Sequence, residues 1–174
     1  MNPSRSLVCR TAVATVAAAL ALAVPDVLHA QAKGLKVGDK APTAMAKTLD
    51  GAPVDLAQYI GKGPVVIEFW ATWCPLCRRM EPKFKALDAK YGKDLTLLFV
   101  VVPTNQTPER AKEYVARTGH PGTFVFDADG SVYKAFAAYH TSYLLVLDKA
   151  GTVLYSADGG DQDIEGAVRK AVGW

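Results

Sequence analysis

Apolar residues along this chain fall into short unbroken runs, separated by stretches in which they recur every three to four residues. Each period marks a different element. Val65-Val66-Ile67-Glu68-Phe69, bounded by Gly63-Pro64, is a continuous run with one acid in it, the pattern of a buried central strand. From Pro75 to Tyr91 the apolar positions Met80, Phe84, Leu87 and Tyr91 follow at steps of four, three and four, while Arg78, Arg79, Lys83, Lys85 and Lys90 fall mostly elsewhere. That spacing predicts an amphipathic helix. Pro75 suits its first turn, where a missing N–H costs nothing; Pro82 predicts a kink and Gly92 ends it. Leu95 to Val102 predicts a second strand and Pro103 to Gln106 a loop. Thr107 then caps a helix that has Pro108 first and Gly119 past its end. Phe124 to Phe126 reads as a short strand closed by Asp127-Ala128-Asp129-Gly130. Tyr143 to Leu147 and Thr152 to Tyr155 form an antiparallel pair about Ala150-Gly151, and Ile164, Val168 and Val172 mark a closing helix. Ahead of all these, Gly34 to Pro42 is a lead-in arm, and Asp50-Gly51 between two apolar stretches, Thr48 to Leu56, predicts a hairpin.

The order strand, helix, strand, helix, hairpin, helix predicts an α/β domain with a mixed central sheet, helices on both faces and an N-terminal hairpin extension. The helix between the first two core strands implies that they pair in parallel.

The N-terminal segment does not fit that plan. Arg5 and Arg10 precede a run of 14 residues, Thr11 to Val24, made only of Ala, Val, Leu and Thr. The run falls short of the roughly 20 residues a spanning helix needs, and small residues follow at Ala30 and Ala32. Residues 1–30 therefore read as a signal peptide, with an uncleaved membrane anchor as the competing reading, and residues 31–174 as one domain of ordinary size. The whole chain has 20 basic and 17 acidic residues; without Arg5, Arg10 and Asp26 it keeps 18 and 16. Nearly balanced charge with no like-charged block argues against nucleic acid and against a membrane-surface patch, leaving a small molecule or a protein as partner.

Removal of the leader takes Cys9 and leaves Cys74 and Cys77, two residues apart where the apolar strand gives way to the basic helix. A thiol at a helix start meets free backbone N–H groups and the positive end of the helix dipole, which favour thiolate. Cys74 is accordingly the candidate nucleophile, expected to be exposed, and Cys77 the buried partner. An exported pair enters an oxidising space, and a bridge over so short a loop restrains the unfolded chain little, so a purely structural disulfide is the weaker reading.

The run Trp70-Ala71-Thr72-Trp73-Cys74-Pro75-Leu76-Cys77, with Gly61-Lys62 before the strand and Pro82 five residues after Cys77, resembles exported thioredoxin-like proteins of the TlpA/ResA type. Val37-Gly38-Asp39-Lys40-Ala41-Pro42, Phe126 to Gly130 and Leu147 to Gly151 fit the same family, so the similarity spans Val37 to Val172. The resemblance implies a thioredoxin fold and a periplasmic thiol-disulfide oxidoreductase with no cofactor beyond a redox-active disulfide. It implies a monomer acting on protein thiols and disulfides. It also favours a reductant, fed by a membrane electron donor of the DsbD type and serving cytochrome c or copper-site maturation. Pro75-Leu76, with proline first, departs from the reducing thioredoxin order and points the other way. Glu68 falls where thioredoxins carry a buried acid, six residues before the first cysteine, and is expected to exchange a proton with Cys77; an acid that reaches solvent or pairs with a lysine is the plainer alternative. Trp73, Pro75, Thr141 and Ser142 are the expected substrate contacts. Trp70 is expected in the core.

Two departures matter. The family's proline before the fifth strand is replaced by Ser142, so a trans bond or a rearranged loop is expected there. His140 lies two residues earlier, and two thiolates with an imidazole suit Cu(I). A copper-binding protein using Cys74, Cys77 and His140 is therefore the alternative function. Met80-Glu81 inverts the family's order of acid and apolar residue ahead of Pro82, so the family acid's role does not carry over to Glu81. Peroxidase chemistry of the peroxiredoxin type needs a Pro- and Thr-containing setting for its cysteine that Ala71-Thr72-Trp73-Cys74 does not reproduce.

Overall fold

The structure is a computed structural model describing residues 33–173; the expected signal peptide lies outside the described residues. Val65–Trp70 (β3) is buried at every position, as a strand covered on both faces must be. It pairs in parallel with β4 (Thr96–Val101), which pairs in parallel with β5 (Thr123–Phe126). β6 (Leu144–Leu147) lies antiparallel on the other side of β3, and β7 (Val153–Ala157) outside it. The N-terminal hairpin, β1 (Met45–Thr48) and β2 (Pro53–Asp55), joins the same sheet through β5, giving seven strands in the order β2-β1-β5-β4-β3-β6-β7.

Helices α1 (Pro75–Tyr91) and α2 (Pro108–Thr118) carry the two crossovers, β3 to β4 and β4 to β5, which step in one direction across the sheet. Right-handed connections of that kind put both helices on one face. Ring contacts on that face agree: Phe84 of α1 meets Phe99 at 5.0 Å, and Tyr114 of α2 meets Trp70 at 5.4 Å. The last helix, α4 (Glu165–Val172), packs beside α1, with Glu165 accepting hydrogen bonds from Lys90 and Tyr91.

The opposite face is closed by α3 (Ser131–Ala135), a helix the pattern of the sequence does not reveal. A single turn has no room for a repeating apolar stripe, and Asp127-Ala128-Asp129-Gly130 reads as turn chemistry alone. In the fold, the fully buried Asp127 carboxylate accepts the N–H groups of Val132 (3.0 Å) and Tyr133 (2.8 Å) and so opens the helix. Tyr133 and Phe136 then pack on Phe69, with centroids 5.6 and 5.7 Å away. The arm covers the rest of this face. Leu35 N–H donates to the Tyr143 hydroxyl at 2.7 Å, and a Cβ at Gly34 would stand 2.7 Å from that hydroxyl, so only glycine fits.

Candidate active site

Cys74 ends the loop after β3 and is the N-cap of α1, with Pro75 in the first turn. Its Sγ accepts the Cys77 N–H at 3.1 Å, and the two residues form a disulfide with Cα atoms 5.4 Å apart. Cys77 is fully buried, as expected. Cys74 is not exposed as the sequence suggested: in this disulfide form it keeps only 1% of its surface. A capping side chain folds back over the helix end, and the solvent positions pass to its neighbours, Trp73 (41% exposed) and Pro75.

Beneath α1, the sheet face presents Glu68, Trp70 and Phe99. Phe84, seven residues after Cys77 and so on the same stripe of the helix, meets Phe99, the register partner of Glu68. Cys77 and Glu68 thus belong to the two sides of one helix–sheet interface. Glu68 is 0% exposed, and neither carboxyl oxygen has a hydrogen-bond partner. It neither reaches solvent nor pairs with a lysine. Burial, and secondarily the negative charge of Glu81, push its pKa well above the carboxylate range.

Three further polar residues share this face, none of them given a role by sequence reasoning. Glu81 accepts a hydrogen bond from the Tyr114 hydroxyl; burial first, then that bond, push the Tyr114 hydroxyl up to about 12. His120 is enclosed by the rings of Trp70, Phe84, Phe99 and Phe124. Burial lowers its pKa, which keeps the imidazole neutral. The signal for Glu81 was its place one turn beyond Cys77, but only the packing of α2 shows what it meets.

On the opposite side of the cysteine loop, Trp73, Val102, Pro103, Tyr133, Tyr139 and Thr141 line a groove of about 450 Å3. The indole is held there by donating to the Thr104 carbonyl at 2.8 Å. Exposed His140 also borders this groove, its ring 5.0 Å from that of Tyr139. Among the described residues, no three His, Cys, Asp or Glu side chains are grouped so as to hold a metal ion, Cys74, Cys77 and His140 included.

Ser142, expected as a substrate contact, is fully buried. Its peptide bond is trans and its φ is +69°, a left-handed conformation. Its N–H donates to the Phe69 carbonyl at 2.7 Å, its carbonyl accepts from Gln162 Nε2 at 3.0 Å, and its Oγ accepts the Gly159 N–H at 3.3 Å. The residue ties the loop before β6 to the end of β3, and Thr141 faces the groove in its place.

The Redoxin family model matches residues 36–171. The chain belongs to the Redoxin family. It is 26% identical over 125 residues to the thiol-disulfide oxidoreductase ResA of Bacillus thuringiensis subsp. konkukian, covering 72% of this chain and 71% of that one. It is 31% identical over 123 residues to the thioredoxin-like protein YneN of Bacillus subtilis, covering 69% and 70%. Among solved structures, a putative thiol:disulfide interchange protein DsbE from Chlorobium tepidum superposes with a TM-score of 0.67 at 26% identity, over 79% of this chain and 96% of that one. A secreted disulfide oxidoreductase from Mycobacterium tuberculosis shares the fold, with a TM-score of 0.62 at 22% identity, over 75% and 96%. This Redoxin protein is a ResA/TlpA-like thiol-disulfide oxidoreductase of thioredoxin fold.

Proposed function

We propose that this Redoxin protein is exported by its N-terminal leader and reduces disulfides in polypeptide substrates. The observation that carries the reading is the cysteine pair at the start of α1 over a buried, unpaired carboxyl. In the reduced enzyme, Cys74 Sγ has the Cys77 N–H and the helix dipole to stabilise a thiolate. That thiolate attacks one sulfur of the substrate disulfide. A Cys74–substrate mixed disulfide forms and the first substrate sulfur leaves, taking a proton from solvent. Cys77 gives its proton to ionised Glu68 and attacks Cys74 Sγ. The mixed disulfide breaks, the second substrate sulfur leaves and takes a proton from solvent, Glu68 releases the Cys77 proton to solvent, and Cys74 is joined to Cys77. Two electrons and two protons reach the substrate in all. Glu68, held in place by burial, serves Cys77 alone, and an external dithiol, such as a membrane donor of the DsbD type, restores the reduced pair.

The reduction potential, measured in defined dithiol buffers, tests the direction. A value near that of thioredoxin, about −270 mV, with reduction of insulin or of cytochrome thiol disulfides, supports the reading. A value near about −120 mV would make the protein an oxidant and overturn it. Tight stoichiometric binding of Cu(I) to the reduced protein, weakened in His140→Ala, would favour copper handling instead.

A further inference from the structure

Trp73 has two sides. One faces the apolar groove; the other forms a wall of a second, larger cleft of about 620 Å3, walled also by Asn105 and by Arg110, Glu113, Tyr114 and Arg117 of α2. Because the indole N–H is anchored to Thr104, the ring stands as a fixed partition beside Cys74. The two clefts differ in chemistry. One is aromatic and aliphatic, whereas the other presents two guanidinium groups against one carboxylate.

Arg110 and Arg117 are seven residues apart, two turns, so they share one side of α2 about 10 Å from each other. Both are exposed, and among the described residues neither takes part in an ion pair. Arg117 lies over the Tyr114 ring, 5.4 Å from its centroid, so its flat face is used and its N–H edges are free to donate. Arg78, the residue after Cys77, adds positive charge that reaches the Tyr114 hydroxyl. Glu81, on the neighbouring helix, is engaged by that hydroxyl. Guanidinium pairs of this kind match carboxylates, and in an extended peptide side chains two residues apart point to the same face about 7 Å from each other, a spacing two long arginine side chains can meet.

We propose that this cleft recognises acidic residues flanking the substrate disulfide. The proposal rests on the reading that the protein acts on polypeptide disulfides, and it names their class: an extended segment crossing Trp73, with Asp or Glu towards α2 and an apolar residue towards Tyr133 and Tyr139.

The experiment uses two disulfide-bonded peptides of equal length that differ only in carrying Asp or Lys at the positions beside the half-cystine, plus a small neutral aromatic disulfide. The wild-type protein is expected to turn over the Asp peptide with a kcat/KM about tenfold higher, the difference lying in KM and shrinking at high salt. Arg110→Glu/Arg117→Glu is expected to prefer the Lys peptide, and Arg110→Lys/Arg117→Lys to keep the original preference in reduced degree. Equal turnover of both peptides by the wild type, or a preference that survives charge reversal, overturns the proposal alone. Turnover of the small disulfide and of neither peptide overturns the polypeptide reading, and this proposal with it.

Discussion

Glu81 on α1 lies within electrostatic reach of the buried Glu68 carboxyl on β3, and its negative charge adds to burial in raising that carboxyl's pKa well above the carboxylate range. The two acids have different settings, since Glu81 is partnered by Tyr114 whereas Glu68 has no hydrogen-bond partner. In the proposed mechanism the unpartnered carboxyl is the one that carries the Cys77 proton, and that difference in setting yields the first prediction.

Glu68→Gln removes the proposed proton acceptor for Cys77 without changing side-chain size. Stopped-flow exchange with a disulfide substrate should slow by about tenfold or more, and the rise of rate with pH that accompanies ionisation of Glu68 should flatten. Glu81→Gln should leave that rise in place but move it to lower pH, because a like charge has been removed. A Glu68→Gln enzyme as fast as wild type across the neutral range would exclude the proton role.

The same carboxyl makes stability depend on pH. In the unfolded chain Glu68 ionises near about pH 4.3, whereas in the fold burial holds its proton to higher pH. Between those values the folded state binds the extra proton, so its stability falls as pH rises and levels off only above the folded pKa. Glu68→Gln should therefore be more stable than wild type at pH 7, and the gap should close towards pH 4. Urea titrations of the oxidised proteins across that range check it.

Ser142 tests how far a family pattern can be transferred to this chain. Its φ of +69° is closed to proline, and its N–H is committed to the Phe69 carbonyl. Ser142→Pro should destabilise the fold by about 3 kcal/mol or more, although it restores the family residue. Ser142→Gly relieves left-handed strain of about 1–2 kcal/mol while losing the bond from Gly159, so its melting point should stay close to wild type.

These residues also show what the sequence could disclose. Cys74, Cys77 and the partition of α1 were legible because a change of hydrophobic period marks a strand–helix junction, and a strand with both faces covered leaves a continuous apolar run. Glu68 stood out as the one acid within such a run. The burial of Cys74 and Ser142 was not legible: each depends on a local backbone conformation, a cap in one case and a left-handed turn in the other, that residue type alone does not fix. The helix α3 was hidden for a related reason. Its start is set by a carboxylate reaching five and six residues along the chain, so that Asp127 looks like a turn residue until the helix it caps is in view.

That cap gives a further prediction. Asp127→Ala would leave the Val132 and Tyr133 N–H groups without their acceptor and loosen the contacts of Tyr133 and Phe136 with Phe69. A loss of about 2 kcal/mol in urea unfolding, with an unchanged m value, is expected, and Asp127→Asn, which keeps one acceptor oxygen, should lose about half as much.

Trp73 is the exposed large side chain beside the cysteines, and it borders both clefts. Its contribution divides into ring area and the hydrogen bond to Thr104 that fixes the ring. Trp73→Phe keeps most of the area but frees the ring to turn, while Trp73→Ala removes both and merges the two clefts. If the tryptophan acts as a fixed platform for polypeptides, KM should rise about threefold in the first variant and tenfold or more in the second, with kcat changed far less. Equal KM values in Trp73→Phe and Trp73→Ala would show that orientation carries the effect and ring area does not. A fall confined to kcat would instead assign Trp73 to the chemistry of Cys74, because interactions made only in the transition state lower kcat and kcat/KM together.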